Sequence, residues 1–154
     1  MYDLFLQVKG SLGYQFFWVS LTAVLIGASL GFERERAGKV AGLTTHSFVM
    51  LGSAIFAFLS DTTDVFSHSR IAANIVTGVG FIGGGLILRD MSGKIENLTT
   101  AAEIWVCSAI GMALGFRQYS IAIISTFFAF VIFRLLRPLK NRIREAQRWP
   151  KDPT

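Results

Sequence analysis

The stretch Ile71–Arg89, IAANIVTGVGFIGGGLILR, is apolar enough to cross a bilayer yet carries glycine at Gly78, Gly80, Gly83, Gly84 and Gly85. Glycine inside a helix costs about 1 kcal/mol relative to alanine, so this density needs a physical reason. In lipid the usual reason is close helix–helix contact, because small residues let backbones approach. Ala73, Thr77, Gly80 and Gly84 recur at helical spacing, which puts them on one face. The span therefore reads as the central packing helix of a small membrane bundle, with Gly80 and Gly84 at its contacts.

The rest of the chain fits that setting. Of its 154 residues 52% are hydrophobic and only 16% charged, against roughly 25% charged in soluble domains. The net charge of +5 reads as an excess of basic residues in cytoplasmic loops rather than a nucleic-acid surface. Cys107 is the single cysteine, so no intramolecular disulfide forms. The N-terminus lacks the basic cluster, short apolar core and small-residue site of a cleavable signal. Tyr2, Phe5, Leu6, Val8 and Leu12 suit either a short interfacial helix or a frayed terminus.

Five spans are expected, making an all-α polytopic transmembrane helix bundle: Phe16–Phe32, Val40–Leu59, Ile71–Arg89, Leu98–Phe116 and Tyr119–Leu136. In the first, Ala23, Gly27 and Gly31 form a small-residue ridge. In the fourth, Ala101, Ser108, Gly111 and Gly115 form another. The fifth carries Phe127, Phe128, Phe130 and Phe133 with no glycine, as suits a lipid-exposed helix. Residues 1–136 make the transmembrane domain and residues 137–154 a basic cytoplasmic tail. That tail reads as a stop-transfer flank or as a contact for anionic lipid. Placing the C-terminus inside leaves only Lys9, Arg70 and Arg117 of the 15 Lys and Arg residues outside. The positive-inside rule therefore predicts N-out, C-in.

With this topology an unusual set of polar residues gathers at the inner leaflet. It comprises Glu33, Arg34, Glu35 and Arg36 at the end of the first span, and His46 in the second. Arg89 and Asp90 end the third, and Glu96, Thr99, Thr100 and Glu103 begin the fourth. Ionisable groups in a span are costly and face protein or a water-filled cavity; Glu103, between Ala101-Ala102 and Ile104-Trp105, is the strongest case. Glu33, Glu35 and Glu103 supply oxygen ligands suited to Mg2+, and His46 suits a proton relay. A purely structural arrangement pairs Glu33 and Glu35 with Arg34, Arg36 or Arg89, and His46 with Thr99 or a backbone carbonyl. At the outer side Asp61, Asp64, His68 and Arg70 form a second cluster, read as an Asp–Arg pair fixing a loop or as a cation-attracting vestibule.

Soluble enzyme chemistry finds little support. Gly78, Gly80 and Gly83 satisfy a bare GxGxxG pattern, but within a continuous apolar span rather than after a strand. No Gly-Lys-Ser/Thr follows, and neither GxSxG nor HExxH occurs.

The residues that carry a family likeness are Gly31-Phe32-Glu33-Arg34-Glu35, Ala41-Gly42-Leu43-Thr44-Thr45-His46, Arg70-Ile71-Ala72-Ala73 through Gly78–Gly85, and Leu98-Thr99-Thr100-Ala101-Ala102 with Trp105. In these motifs and their order the chain resembles the MgtC/SapB family of bacterial membrane proteins. The resemblance implies an inner-membrane, multi-pass protein linked to adaptation to low magnesium and, in some pathogens, to survival inside host cells. Its members have been discussed as Mg2+ transport-associated proteins and as membrane regulators, including of the proton-translocating ATP synthase. Two departures stand out. The family typically has a small residue where this chain has Glu103, and many members carry a cytoplasmic C-terminal ACT-like domain that is expected to be absent here or removed.

The expected function is that of a membrane regulator or interaction protein in magnesium homeostasis, not an enzyme. The alternative is a homo-oligomeric Mg2+ or H+ channel or transporter using the inner-leaflet carboxylates. The expected partners are the lipid bilayer, a second copy of the chain and another membrane protein, with no nucleic acid. Mg2+ is the one candidate cofactor.

Overall fold

A computed structural model describes residues 11–63, 68–89, 91, 93 and 95–136. Helix α1 runs Leu12–Arg36, α2 Leu43–Thr63, α3 His68–Leu86, α4 Leu98–Gly115 and α5 Tyr119–Val131, the last continuing as a π-helical turn over Ile132–Leu136. The fold is an all-α membrane helix bundle. Four helices are long and apolar enough to cross a membrane: α1, α2, α4, and α5 with its π-turn. The apolar part of α3, Arg70–Leu86, is shorter.

Local chemistry sets the helix ends. Ser11 caps α1, its hydroxyl accepting from the Tyr14 N–H at 3.2 Å. After Arg36 the chain turns through Gly38 at φ +63°, a left-handed conformation that glycine adopts without a Cβ penalty. The expected interfacial helix before Leu12 falls largely outside the described residues.

The centre of the bundle is α2, not the glycine-rich helix. α2 packs most extensively against α1 on one side and α4 on the other, and glycines make both contacts. A Cβ on Gly27 would lie 2.8 Å from the His46 carbonyl oxygen and from the Ser47 Cα, and one on Gly31 would lie 2.5 Å from the Leu43 Cα. On the far side, Gly111 meets the Met50 carbonyl, and Gly115 meets the Ala54 carbonyl with Phe58 N at 2.9 Å. These are backbone-to-backbone approaches that no larger residue allows. Around them Val19, Leu30, Met50, Phe58, Ile110 and Leu114 form the core. Ser53 and Ser108 hydrogen-bond across α2 and α4 at 2.7 Å.

Helix α3 corrects the expectation for Ile71–Arg89. It buries Ala72, Ile75, Val79 and Gly83, the last meeting Ala101 of α4 at 3.7 Å. The face expected to pack, with Ala73, Thr77, Gly80 and Gly84, is exposed. Added Cβ atoms on Gly78, Gly80, Gly84 and Gly85 meet nothing within 4 Å. The buried and expected stripes differ by one residue, or about 100° around a helix. Ile75 and Val79 instead pack in one cluster with Ile104 of α4. The span also ends earlier than expected. After Leu86 the chain forms a two-stranded hairpin, β1 Leu88–Arg89 against β2 Ile95–Glu96, with Leu88 opposite Glu96.

Helix α5 follows its composition. Phe127 and Phe128 are exposed, whereas Ala122 and Ala129 are buried.

Candidate functional site

Helix α1 ends, α2 begins, α3 ends and α4 begins at the same end of the bundle. This brings the polar residues of α1, α2 and α4 together. Arg34 lies one turn beyond the close contact of Gly31, so its side chain enters the bundle instead of solvent. Its Nε meets Glu103 Oε2 at 2.7 Å, with the two side chains only 4% and 8% exposed. The π-helical turn lays the Phe133 ring against the same guanidinium, 5.3 Å from its centroid. Arg34 is thus held by a carboxylate from α4 and a π face from the end of α5. Its position ties three helices.

Glu35, next along α1, points elsewhere. Its Oε2 accepts the Leu43 N–H at 2.9 Å, satisfying one of the free donors at the start of α2. A Cβ on Gly42 would sit 2.5 Å from that oxygen, so glycine at 42 makes room for this cap. Glu33 is half-buried. Arg36 is exposed and lies 5.5 Å from the Phe32 ring centroid.

His46 is 1% exposed. Its Nδ1 sits 2.9 Å from the Gly42 carbonyl, one turn back on the same helix. Its Nε2 is buried without a hydrogen-bond partner among the described residues. The His46 backbone is wedged between Gly27 of α1 and Cys107 of α4, whose thiol donates to its carbonyl at 3.4 Å. Since Cys107 is one turn beyond Glu103, the histidine layer lies one turn deeper than the ion pair. Thr100 is buried and Thr99 exposed.

The proposed Mg2+ ligands do not converge. Glu103 is neutralised by Arg34, and Glu35 is committed to the α2 backbone. Among the described residues no group of three His, Cys, Asp or Glu side chains is placed to hold a metal ion. Glu33, Glu35 and Glu103 are thus not brought together into one ligand set among the described residues. The expected pairing of Glu33 and Glu35 with Arg34, Arg36 or Arg89 is also corrected. Glu103 holds Arg34, and Arg89 donates from Nε to the Gly93 carbonyl at 3.3 Å, within the hairpin. Asp90 lies outside the described residues.

At the opposite end Asp61 pairs with Arg117, an arginine from outside the expected cluster. Arg117 also donates to Gln15 Oε1 at 3.0 Å. It adopts a left-handed φ of 58° in the α4–α5 turn, and its two contacts clamp α1 and α2. Arg70 is exposed; Asp64 lies outside the described residues. The sequence reading missed the Arg117 clamp and the roles of Phe133 and Gly42. A left-handed arginine leaves no pattern, but a glycine seven residues after a helix-terminal glutamate is a signal that was open to reading.

The family model described as the MgtC family matches residues 21–142, a range that contains the Arg34–Glu103 pair and every glycine contact of α2. This chain belongs to the MgtC family. It is 39% identical over 125 residues to Protein MgtC of Salmonella typhimurium strain LT2, covering 81% of this chain and 54% of that protein. It is 42% identical over 132 residues to "Putative magnesium transporter YhiD" of Escherichia coli K12, covering 80% of this chain and 60% of that protein. Protein MgtC of Brucella abortus strain 2308 is 39% identical over 118 residues, covering 76% of this chain and 49% of that protein. The chain thus spans about half the length of the curated relatives it matches. No solved structure matches it. In MgtC-family terms, the motif from Gly31 to Glu35 supplies the α1 contact glycine, the buried arginine and the α2 cap in five consecutive residues.

Proposed function

We propose that this chain acts in the bacterial inner membrane in adaptation to low magnesium, as a regulator that associates with itself or with other membrane proteins, and not as an enzyme or a cation conduit. The magnesium link rests on the family and on the name borne by the Escherichia coli K12 relative. The regulator reading rests on one observation. The carboxylates best placed for a cation at one end of the bundle are engaged in holding helices together, Glu103 on Arg34 and Glu35 on the α2 backbone. A divalent cation pathway needs oxygen ligands free to replace part of the ion's hydration.

The test joins growth and flux. A strain lacking its own copy should grow poorly in magnesium-limited medium and recover with the wild-type chain, while purified protein in liposomes passes no more Mg2+ than empty vesicles. Growth indifferent to the deletion would remove the magnesium role. Mg2+ flux that vanishes in Glu103→Gln would replace the regulator with a transporter.

His46 supports a second, proton-linked reading. Its buried Nε2 lacks a hydrogen-bond partner among the described residues, and histidine changes charge near neutral pH. In the same liposomes under a pH gradient, proton leak present in the wild type and lost in His46→Asn would favour it. Leak equal to that of empty vesicles would discard it.

A further inference from the structure

Between α2 and α3 lies a groove of about 460 Å³. Phe48 and Phe56 of α2 and Ile71, Ile75, Gly78 and Ile82 of α3 line it. Phe48, Phe56, Ile71 and Ile82 are all exposed, so it opens sideways toward lipid. Its few polar side chains are engaged. The Ser53 hydroxyl bonds Ser108, and the Asn74 amide N–H donates to the Arg70 carbonyl at 3.1 Å. What remains is a slot for hydrocarbon.

Two measurements select its occupant. From Ile71 to Ile82 the helix rises about 16 Å, close to half of the roughly 30 Å hydrocarbon core of a bilayer. The groove therefore has the length of one leaflet's acyl chain. At its outer mouth stands Arg70, one turn before Asn74 on the same face of α3. Arg70 is exposed and makes no ion pair among the described residues, while Asp61 at that end is taken by Arg117. A guanidinium there matches a phosphodiester at headgroup depth. A second copy packed about an axis along the bilayer normal would instead bring two Arg70 side chains to the same depth.

We propose that this groove binds one acyl chain of an anionic glycerophospholipid whose phosphate rests on Arg70. The net negative headgroup matters, because a zwitterionic one brings its own cation to the arginine.

The whole chain, purified in detergent, would be offered phosphatidylglycerol or phosphatidylethanolamine and examined by native mass spectrometry. The wild type should retain one phosphatidylglycerol, about fivefold more readily than phosphatidylethanolamine. Arg70→Gln should erase that preference. Gly78→Leu, whose added Cβ meets nothing within 4 Å, should fill the groove and abolish retention of both lipids at unchanged helicity and melting temperature. Equal lipid retention by Gly78→Leu and wild type would overturn the proposal. So would an unchanged headgroup preference in Arg70→Gln, or release of the lipid by inorganic phosphate alone. A doubled mass without lipid that is lost in Gly78→Leu would assign the groove to a second copy instead.

Discussion

Arg34 is a permanent charge placed among helices with almost no water around it. An arginine in that position is tolerable only while its carboxylate stays with it. The pair therefore predicts an asymmetry. Arg34→Ala leaves Glu103 buried without its counter-ion and should cost about 3–5 kcal/mol. Replacing both residues by methionine removes the two desolvation costs together and should lie within about 1 kcal/mol of the wild type or above it. Thermal unfolding in detergent of Arg34→Ala and the double variant measures this. A double variant as unstable as Arg34→Ala would mean that the pair contributes more than mutual neutralisation. At this scale the sequence was partly legible. Glu103 stands out because a carboxylate between apolar neighbours has to find a partner. That the partner is Arg34, and that Phe133 covers it, depends on where the ends of α1 and α5 fall.

At the scale of the element, glycine has two distinct uses in this chain. Gly27, Gly31, Gly111 and Gly115 touch the backbone of α2 and permit helix contacts that a methyl group would push apart. A Cβ added on Gly80 or Gly84 meets nothing within 4 Å among the described residues. Alanine should thus act in opposite directions. Gly27→Ala or Gly111→Ala should destabilise the bundle by about 1–3 kcal/mol through overpacking. Gly80→Ala or Gly84→Ala should raise stability by up to about 1 kcal/mol through helix propensity. Melting of the four variants in one detergent decides it, and equal losses at all four positions would mean that the face of α3 is engaged in solution. The helices themselves were readable from apolar runs between polar breaks. The orientation of α3 was not, because its small-residue stripe and its Ile75–Val79 stripe lie one residue apart. Only the volume offered by α4 chooses between them.

For the whole molecule, the two ends of the bundle differ in kind. One end holds the buried Arg34–Glu103 pair, the Glu35 cap and the hairpin of β1 and β2. The other is fastened near the surface by Arg117 on Asp61 and Gln15. The distribution of Lys and Arg predicts that the first end is cytoplasmic. A reporter fused after Thr154 should then be active only in the cytoplasm, and a cysteine replacing Gln118 should react with a membrane-impermeant thiol reagent from outside. Labelling of that cysteine only after the cells are opened would invert the topology. The Arg117 clamp also shows what the sequence could not give at this end: Asp61 is held by an arginine that arrives from the α4–α5 turn, 56 residues along the chain.

The sequence alone determined that this is an all-helical membrane protein, where its apolar segments lie, and its membership of the MgtC family. Those properties are local: hydropathy over a bilayer's thickness and short motifs in a set order. Only the tertiary structure decided that α2 is the centre, that Glu103 and Arg34 meet, and that Glu35 caps a helix in place of a shared cation site with Glu103. It also turned the glycine face of α3 outward. These properties depend on distances between residues far apart in the chain, and such distances are set by how whole helix surfaces fill space.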